Sequence, residues 1–219
     1  LSGAARKVLV PALLLTLLMG CVRKQPGVGQ PRLIVPETAF SAVVRCTAAF
    51  GKTNVTASGG CAVDPVFGAR IELRDPLGAA RLLLLVKPRE ATLISIESGL
   101  FFTWSDASRN MPWSASDLWA VLSGRLPGNA HRIKLSRDGA VLSARWRNAD
   151  GRIHATFRAS HEGPCPFSEA RLSGPHSASL SISLSRARTN EFRRSIFAPP
   201  ADLEKKPALP ADILQDLLQ

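Results

Sequence analysis

Four cysteines and four histidines are the residues of this 219-residue chain best suited to nucleophilic, redox or metal chemistry. A zinc site would need them at ligand spacing, and His131, His154, His161 and His176 fall at no such spacing from Cys46, Cys61 or Cys165. No metal and no other cofactor is expected. The sequence also lacks a catalytic frame: it has no Gly-x-Ser-x-Gly elbow, no His-Glu-x-x-His and no strand leading into a phosphate-cradling Gly loop. His154 reads as a half-exposed strand residue, and His161-Glu162 lead into Gly163-Pro164-Cys165-Pro166, a loop rather than a preorganised acid–base pair. Cys165 would need a thiolate-stabilising setting, which its neighbours do not supply. The chain is not expected to be an enzyme.

Oxidation and acylation are what remain for the cysteines. If Thr53-Asn54 forms a two-residue hairpin tip, Cys46 and Cys61 stand opposite each other within disulfide reach. A one-residue slip in register would separate them. Cys21 has a different setting. Arg6 and Lys7 precede an apolar run from Val8 to Leu18, broken only by Pro11 and Thr16. That run is about 11 residues, short of the roughly 20 that a spanning helix needs. It ends in Leu18-Met19-Gly20-Cys21, which resembles a bacterial lipobox. Residues 1–20 are therefore expected to be a lipoprotein signal peptide and Cys21 the lipidated residue, with acyl chains contributing about 0.8 kcal/mol per buried CH₂. No later segment carries 18 uninterrupted apolar residues. Residues 21–36, with Gly27, Gly29 and three prolines, read as a flexible tether.

With 45% hydrophobic and 21% charged residues, the composition excludes a disordered tail, a collagen-like fibre and a disulfide-dense miniprotein. Lys and Arg number 28 against 17 Asp and Glu, a net charge of +11, which favours acidic partners. Nucleic acid is not the expected one, because aromatics are only 6%, Tyr is absent and the chain opens with an export signal. Alternating cations such as Arg145 and Arg147, or Arg186 and Arg188, fit the solvated face of strands. A basic face toward anionic lipid suits this charge better than base stacking does.

The elements that must position these residues are mostly short strands. Ala80–Lys87 is a nearly continuous apolar run. Over Ala91–Glu97, Leu93 faces one way and Thr92, Ile94 and Ile96 the other. Asp138-Gly139 predicts a hairpin joining Ile133–Ser136 to Val141–Trp146. Asn148–Gly151 predicts another, leading to Ile153, Ala155 and Phe157 on one face. Leu180, Ile182 and Leu184 alternate with serines, giving one buried and one wet face. Ser114–Gly124 reads as a helix, capped by Ser114 or Ser116, with Leu118, Val121 and Leu122 on one stripe and Gly124 as the stop. Thr38–Val44 is expected to be a short helix before the first strand. About eleven antiparallel strands around one helix predict a mainly β fold, a curved sheet or barrel. After Phe197, residues 199–219 read as a tail that docks weakly, with a partner-binding helix around Ile213, Leu214, Leu217 and Leu218 as the alternative.

One turn stands out. In Ile71-Glu72-Leu73-Arg74-Asp75-Pro76-Leu77-Gly78 followed by Ala80–Val86, Pro76 presets a turn, Gly78 suits its end and Leu77 is left at the tip. Leu77 either lies back on the sheet or probes a membrane or lipid partner.

This turn, the Leu-rich strand after it, and a Leu118-Trp119 helix running into Gly124-Arg125-Leu126-Pro127-Gly128 together resemble the LolB family of outer-membrane lipoprotein receptors. That family has an Asn-Pro-Leu-Gly turn and a Trp-bearing helix before Gly-Leu-Pro-Gly. This chain differs by the inserted Arg125, by Glu72 and Arg74 before the turn, and by the tail. The resemblance implies an unclosed, eleven-stranded antiparallel β-barrel of the LolA/LolB kind with a helical lid or plug, over residues 37–198.

It further implies a lipid-anchored outer-membrane protein facing the periplasm, a location that Val22 rather than Asp after Cys21 also suggests. Such a protein accepts acylated lipoproteins from a LolA-like periplasmic carrier and inserts them into the membrane, with Pro76, Leu77 and Gly78 as the membrane-insertion turn. Its acyl cavity would draw on Leu73, Leu84, Ile94, Phe102, Trp104, Leu118, Leu122, Trp146, Phe157 and Ile182. Alternation alone leaves a filled core equally open. A monomer is expected. The alternatives are a structural lipoprotein of an envelope complex and a module for another lipid on the same scaffold.

Overall fold

The computed structural model describes residues 38–50, 53–75, 77–108, 111–137, 139–160, 163–200 and 206–207. The signal segment, Cys21 and the tether, as well as Pro76, Asp138, His161 and residues 208–219, lie outside the described residues. The strands are β1 (Phe40–Phe50), β2 (Thr53–Asp64), β3 (Gly68–Arg74), β4 (Ala80–Val86), β5 (Glu90–Ser95) and β6 (Leu100–Ser105). After helix α1 (Ala115–Leu122) come β7 (His131–Leu135), β8 (Val141–Arg147), β9 (Arg152–Arg158), β10 (Glu169–Ser173), β11 (Ser179–Thr189) and the two-residue β12 (Lys206–Pro207). They form one sheet in the order β12-β6-β5-β4-β3-β2-β1-β11-β10-β9-β8-β7. Every pairing is antiparallel except β12 on β6, and no ladder among the described residues joins β7 to the β6 side. Among the described residues the fold is thus mainly β, an unclosed sheet of eleven antiparallel strands with one short α-helix.

Helix α1 packs on one face of β3–β6, here called the inner face. Ser114 starts it with a capping box: its hydroxyl accepts from the Asp117 N–H while the Asp117 carboxylate accepts from the Ser114 N–H. Such a cap contributes about 1 kcal/mol. Gly124, at φ +69°, takes the left-handed conformation that ends the helix. Leu118, Val121 and Leu122 are buried at the centre of the core, a burial that contributes roughly 1.5–3 kcal/mol for each large side chain. The buried Asp117 also accepts from Trp146 Nε1 of β8 at 2.6 Å and from Asn148 Nδ2 at 2.9 Å. A helix covering β3–β6 and bonded to β8 requires the intervening strands to curl around it.

The predicted hairpins form. Ser136 N–H donates to Ala140 O, closing β7–β8, and Asn148 N–H donates to Gly151 O, closing β8–β9. Ile153, Ala155 and Phe157 are buried on one face of β9, as are Ile182 and Leu184 on β11. Leu93 and Ile94 take opposite faces of β5.

Three expectations are corrected. Thr38–Val44 is not a helix: β1 starts at Phe40, and Phe40, Ala42 and Val44 are buried at a period of two, which only a strand can present to one face. The β1–β2 hairpin does not turn at Thr53-Asn54, because Phe50 already pairs with Thr53. Cys46 therefore faces Ala57 and Cys61 faces Ala42, and with Cys165 all three are free thiols. Finally, Ile94 cannot line a cavity with Leu84. It pairs with Leu83 on the outer face, whereas Leu84 pairs with Leu93 on the inner one.

The outer face divides into two regions. On β4–β6 it is apolar: Leu83, Leu85 and Ile94 are buried there, with Ile96 and Phe101 packed beside them. The chain leaving β11 turns toward this side. Asn190 N–H donates to Ala39 O, Phe197 packs on Phe67 and Phe192, and the Ile196 carbonyl accepts from the Arg70 guanidinium on the outer side of β3. The same chain reappears as β12 on the edge of β6.

Candidate functional site

The β3–β4 turn is held by charge. Gly78 N–H donates to Asp75 O at 3.0 Å and Asp75 N–H to Ala79 O at 2.9 Å, with Gly78 at φ +91°, where a side chain would be strained. Asp75 Oδ1 accepts from Ala79 N–H, and Oδ2 accepts from Arg81 at 2.9 Å. Desolvation works against the Asp75 carboxylate. The Arg81 hydrogen bond, those from the Ala79 and Leu77 backbone and the Arg81 charge outweigh it and hold the pKa below its usual value. Glu72 bridges Arg70 at 3.2 Å and Arg74 at 2.6 Å along the outer side of β3, and Arg81 also pairs with Glu97. The charges of this strand thus form a ladder of neighbours two apart on one face. At the top of this frame Leu77 is 94% exposed, the most exposed large apolar side chain among the described residues.

Below the turn the inner wall runs in registered rows. Farthest from Leu77, Ala69, Val86, Ala91 and Trp104 pair across β3–β6 and are all buried. In the next row Ile71 is buried, but Leu84 and Phe102 are only half-buried and Leu93 is 9% exposed. In the row beside the turn Leu73 is half-buried against a buried Leu82. Leu100 and Phe102 continue the wall on β6, and Phe102 stacks on Trp104 at 5.7 Å. Leu82 and its partner Ser95 are fully buried, so the half-buried side chains of these rows are Leu84 and Phe102 in the middle row and Leu73 beside the turn.

The nominated cavity residues separate accordingly. Leu73, Leu84 and Phe102 share this wall as half-buried side chains. Trp104, Leu118, Leu122, Trp146, Phe157 and Ile182 sit in the filled core, and Ile94 lies behind the sheet. Residues missed earlier are Leu100, Met111 and Leu126, half-buried against the same core. Asp117 was read only as part of a helix; the Ser114-x-x-Asp117 spacing of a capping box was the signal available for its role. The three described cysteines are held as thiols: burial pushes the Cys46 thiol up to about 12 and Cys165 up to about 11, and raises Cys61 as well. Among the described residues no group of His, Cys, Asp and Glu is placed to hold a metal ion, and no helix is long and apolar enough to cross a membrane.

No protein-family model matches the sequence, and no curated protein matches it. Solved structures do resemble the fold. A LolA-superfamily protein from Nitrosomonas europaea superposes with a TM-score of 0.54 at 9% identity, over 78% of this chain and 96% of that one. A domain described as an outer-membrane lipoprotein-sorting protein, from Vibrio parahaemolyticus, gives 0.56 at 11% identity over 78% and 94%. At these identities the likeness is one of fold, and the fold is LolA-like.

Proposed function

We propose that this chain is a lipid-anchored, non-catalytic acceptor of acylated lipoproteins, one that shields their acyl chains on the inner apolar wall and delivers them into the outer membrane at the Leu77 rim. The observation that carries the reading is the exposed Leu77 at the tip of an ion-paired hairpin, above an inner wall on which Leu73, Leu84 and Phe102 are only half-buried. The LolA-like fold, the lipobox at Cys21 and the LolB-like turn and helix motifs agree with it. A periplasmic carrier of the LolA kind would be the donor, and Cys21 acylation would hold the acceptor at the membrane facing the periplasm. No bond need form or break in the transfer. Each shielded CH₂ contributes on the order of 0.8 kcal/mol, so a slightly better wall than the donor's moves the chain forward. An exposed leucine at the rim then supplies an apolar path between wall and bilayer.

The test mixes the Cys21→Ala chain with lipoprotein-loaded carrier from the same organism and follows the cargo. We expect transfer onto the chain. With Leu77→Glu on the acylated protein, acceptance should persist while insertion into membranes fails. A folded chain that takes no cargo would sink the reading. It would favour the structural lipoprotein instead, which the six nominated residues buried in a filled core already suit.

A further inference from the structure

The cations of the outer face are treated differently in the two arms of the sheet. Arg70, Arg74 and Arg81 each have a carboxylate partner. Around the β8–β9 hairpin, Arg145, Arg147, Arg152 and Lys134 are exposed, and none of them makes an ion pair among the described residues. The register sets like charges face to face: Arg147 opposite Arg152, and His131, Arg145 and His154 in one line across β7–β9. Strands β7, β8 and β9 carry no carboxylate of their own; Asp150 lies in the β8–β9 turn, Asp117 bonds to Trp146 on the inner side of β8, and Glu169 of β10 pairs with Arg158 at the far end of β9. Such cross-strand pairs repel. The repulsion is visible at His154, whose pKa desolvation, then Arg145 and Lys134, pull below its usual value.

Topology points this cluster and the Leu77 turn the same way. The β3–β4 turn, the β8–β9 turn and the start of β7 all lie at the same end of the antiparallel ladder. Between the two arms the register advances by similar amounts at both rims, the stagger that a tilted, curling sheet imposes. We propose that the Arg145–Arg147–Arg152 face is a docking surface for an anionic lipid bilayer, which it grips by headgroup phosphates so that Leu77, on a turn at the same end of the ladder, meets the membrane. A flat sheet of phosphates complements unpaired cations on exposed strands, and each cation near such a surface adds about fivefold to binding. The inference rests on the membrane role given above to Leu77.

The test compares full-length Cys21→Ala chains on vesicles of phosphatidylcholine with and without phosphatidylglycerol. The readout is the anionic-over-neutral preference, in which apolar contributions common to all variants cancel. R145Q/R147Q/R152Q should lower that preference by roughly a hundredfold. R158Q/R186Q/R188Q, equal in charge but at the other ends of β9 and β11, should change it by less than about threefold. Thermal melts confirm that each triple is folded, and R147Q alone, expected to lose about fivefold, serves if a triple is not. Equal losses in both triples, or none in the first, would overturn the proposal. The failures are separable. If Leu77→Glu blocks cargo insertion while the arginine triple is inert, only this inference falls. If the triple acts but no cargo is ever delivered, the acceptor reading falls and the docking surface stands.

Discussion

The β3–β6 arm and the β8–β10 arm have the same backbone plan and opposite outer faces. In the first, apolar side chains line both sides: Leu82 and Val86 inward, Leu83 and Leu85 outward, all buried. In the second, Ile153, Ala155 and Phe157 point inward, while Arg152, His154, Thr156 and Arg158 point out. The difference lies in what covers the sheet. The first arm has helix α1 inside and meets the chain beyond β11 outside, so it needs an apolar surface on each face. The second has only the core, and its outer face is left to water and to whatever anion approaches. The two patterns are a continuous leucine run and a clean alternation, and each reports how many layers a strand sits between.

That comparison breaks most readily at paired outward positions. Leu83→Lys places an unpaired charge in a buried outer cluster and should cost about 4 kcal/mol. Thr156→Lys at an outward position of β9 should stay within about 0.5 kcal/mol. Urea unfolding of both variants measures the contrast, and equal costs would show that the faces do not differ in cover. Next in size is Asp117, which ties the two arms through the helix. Asp117→Ala leaves the Trp146 indole N–H, the Asn148 amide and the Ser114 N–H without their acceptor, breaking one half of the capping box, an expected loss of about 3 kcal/mol. For a domain of this size that is a fall of roughly 10 °C in Tm by calorimetry. The smallest effect belongs to His154, which faces Arg145 on β8, Ser173 on β10, Arg152 and Thr156 on its own strand, and Lys134 across β7. Its folded pKa lies below the ordinary value near 6.5, so its contribution is complete above that pH and lost as pH falls through the folded value. Urea midpoints at pH 7 and pH 5 should differ less in His154→Gln than in the parent.

Much of the fold was legible because local chemistry and global pattern agree. Ser114 and Gly124 bracket the helix, two Gly-containing turns close the hairpins, and alternation names the inward residues of β9 and β11. The failures occurred where local signals were weak. β2 carries Gly59-Gly60 in mid-strand, so little side-chain pattern fixes its register against β1, and the Cys46–Cys61 pairing was lost by a shift of that register. Gly59 itself is needed for a reason alternation cannot show, since a Cβ there would clash with the Glu72 carbonyl oxygen. Ile94 was assigned to the cavity because an apolar residue on a doubly covered strand does not reveal which face it takes. For the candidate site, Leu77 was legible from the turn. The half-burial of Leu73, Leu84 and Phe102 on the inner wall, and the unpaired arginines of β8 and β9, required the registers of the strands.

A sheet that fails to close keeps two free borders, and a free border invites a neighbouring molecule to extend the ladder. On the β6 side that border is taken by Lys206-Pro207, a residue pair in which one member repels copies of itself and the other has no N–H to offer. On the β7 side the pairing with β8 is interrupted by irregularities, and Arg132 adopts φ +50°, which bends the last strand away from a straight template. The molecule can therefore stay open along its length, as loading with a long acyl chain would require, without becoming a seed for polymer growth.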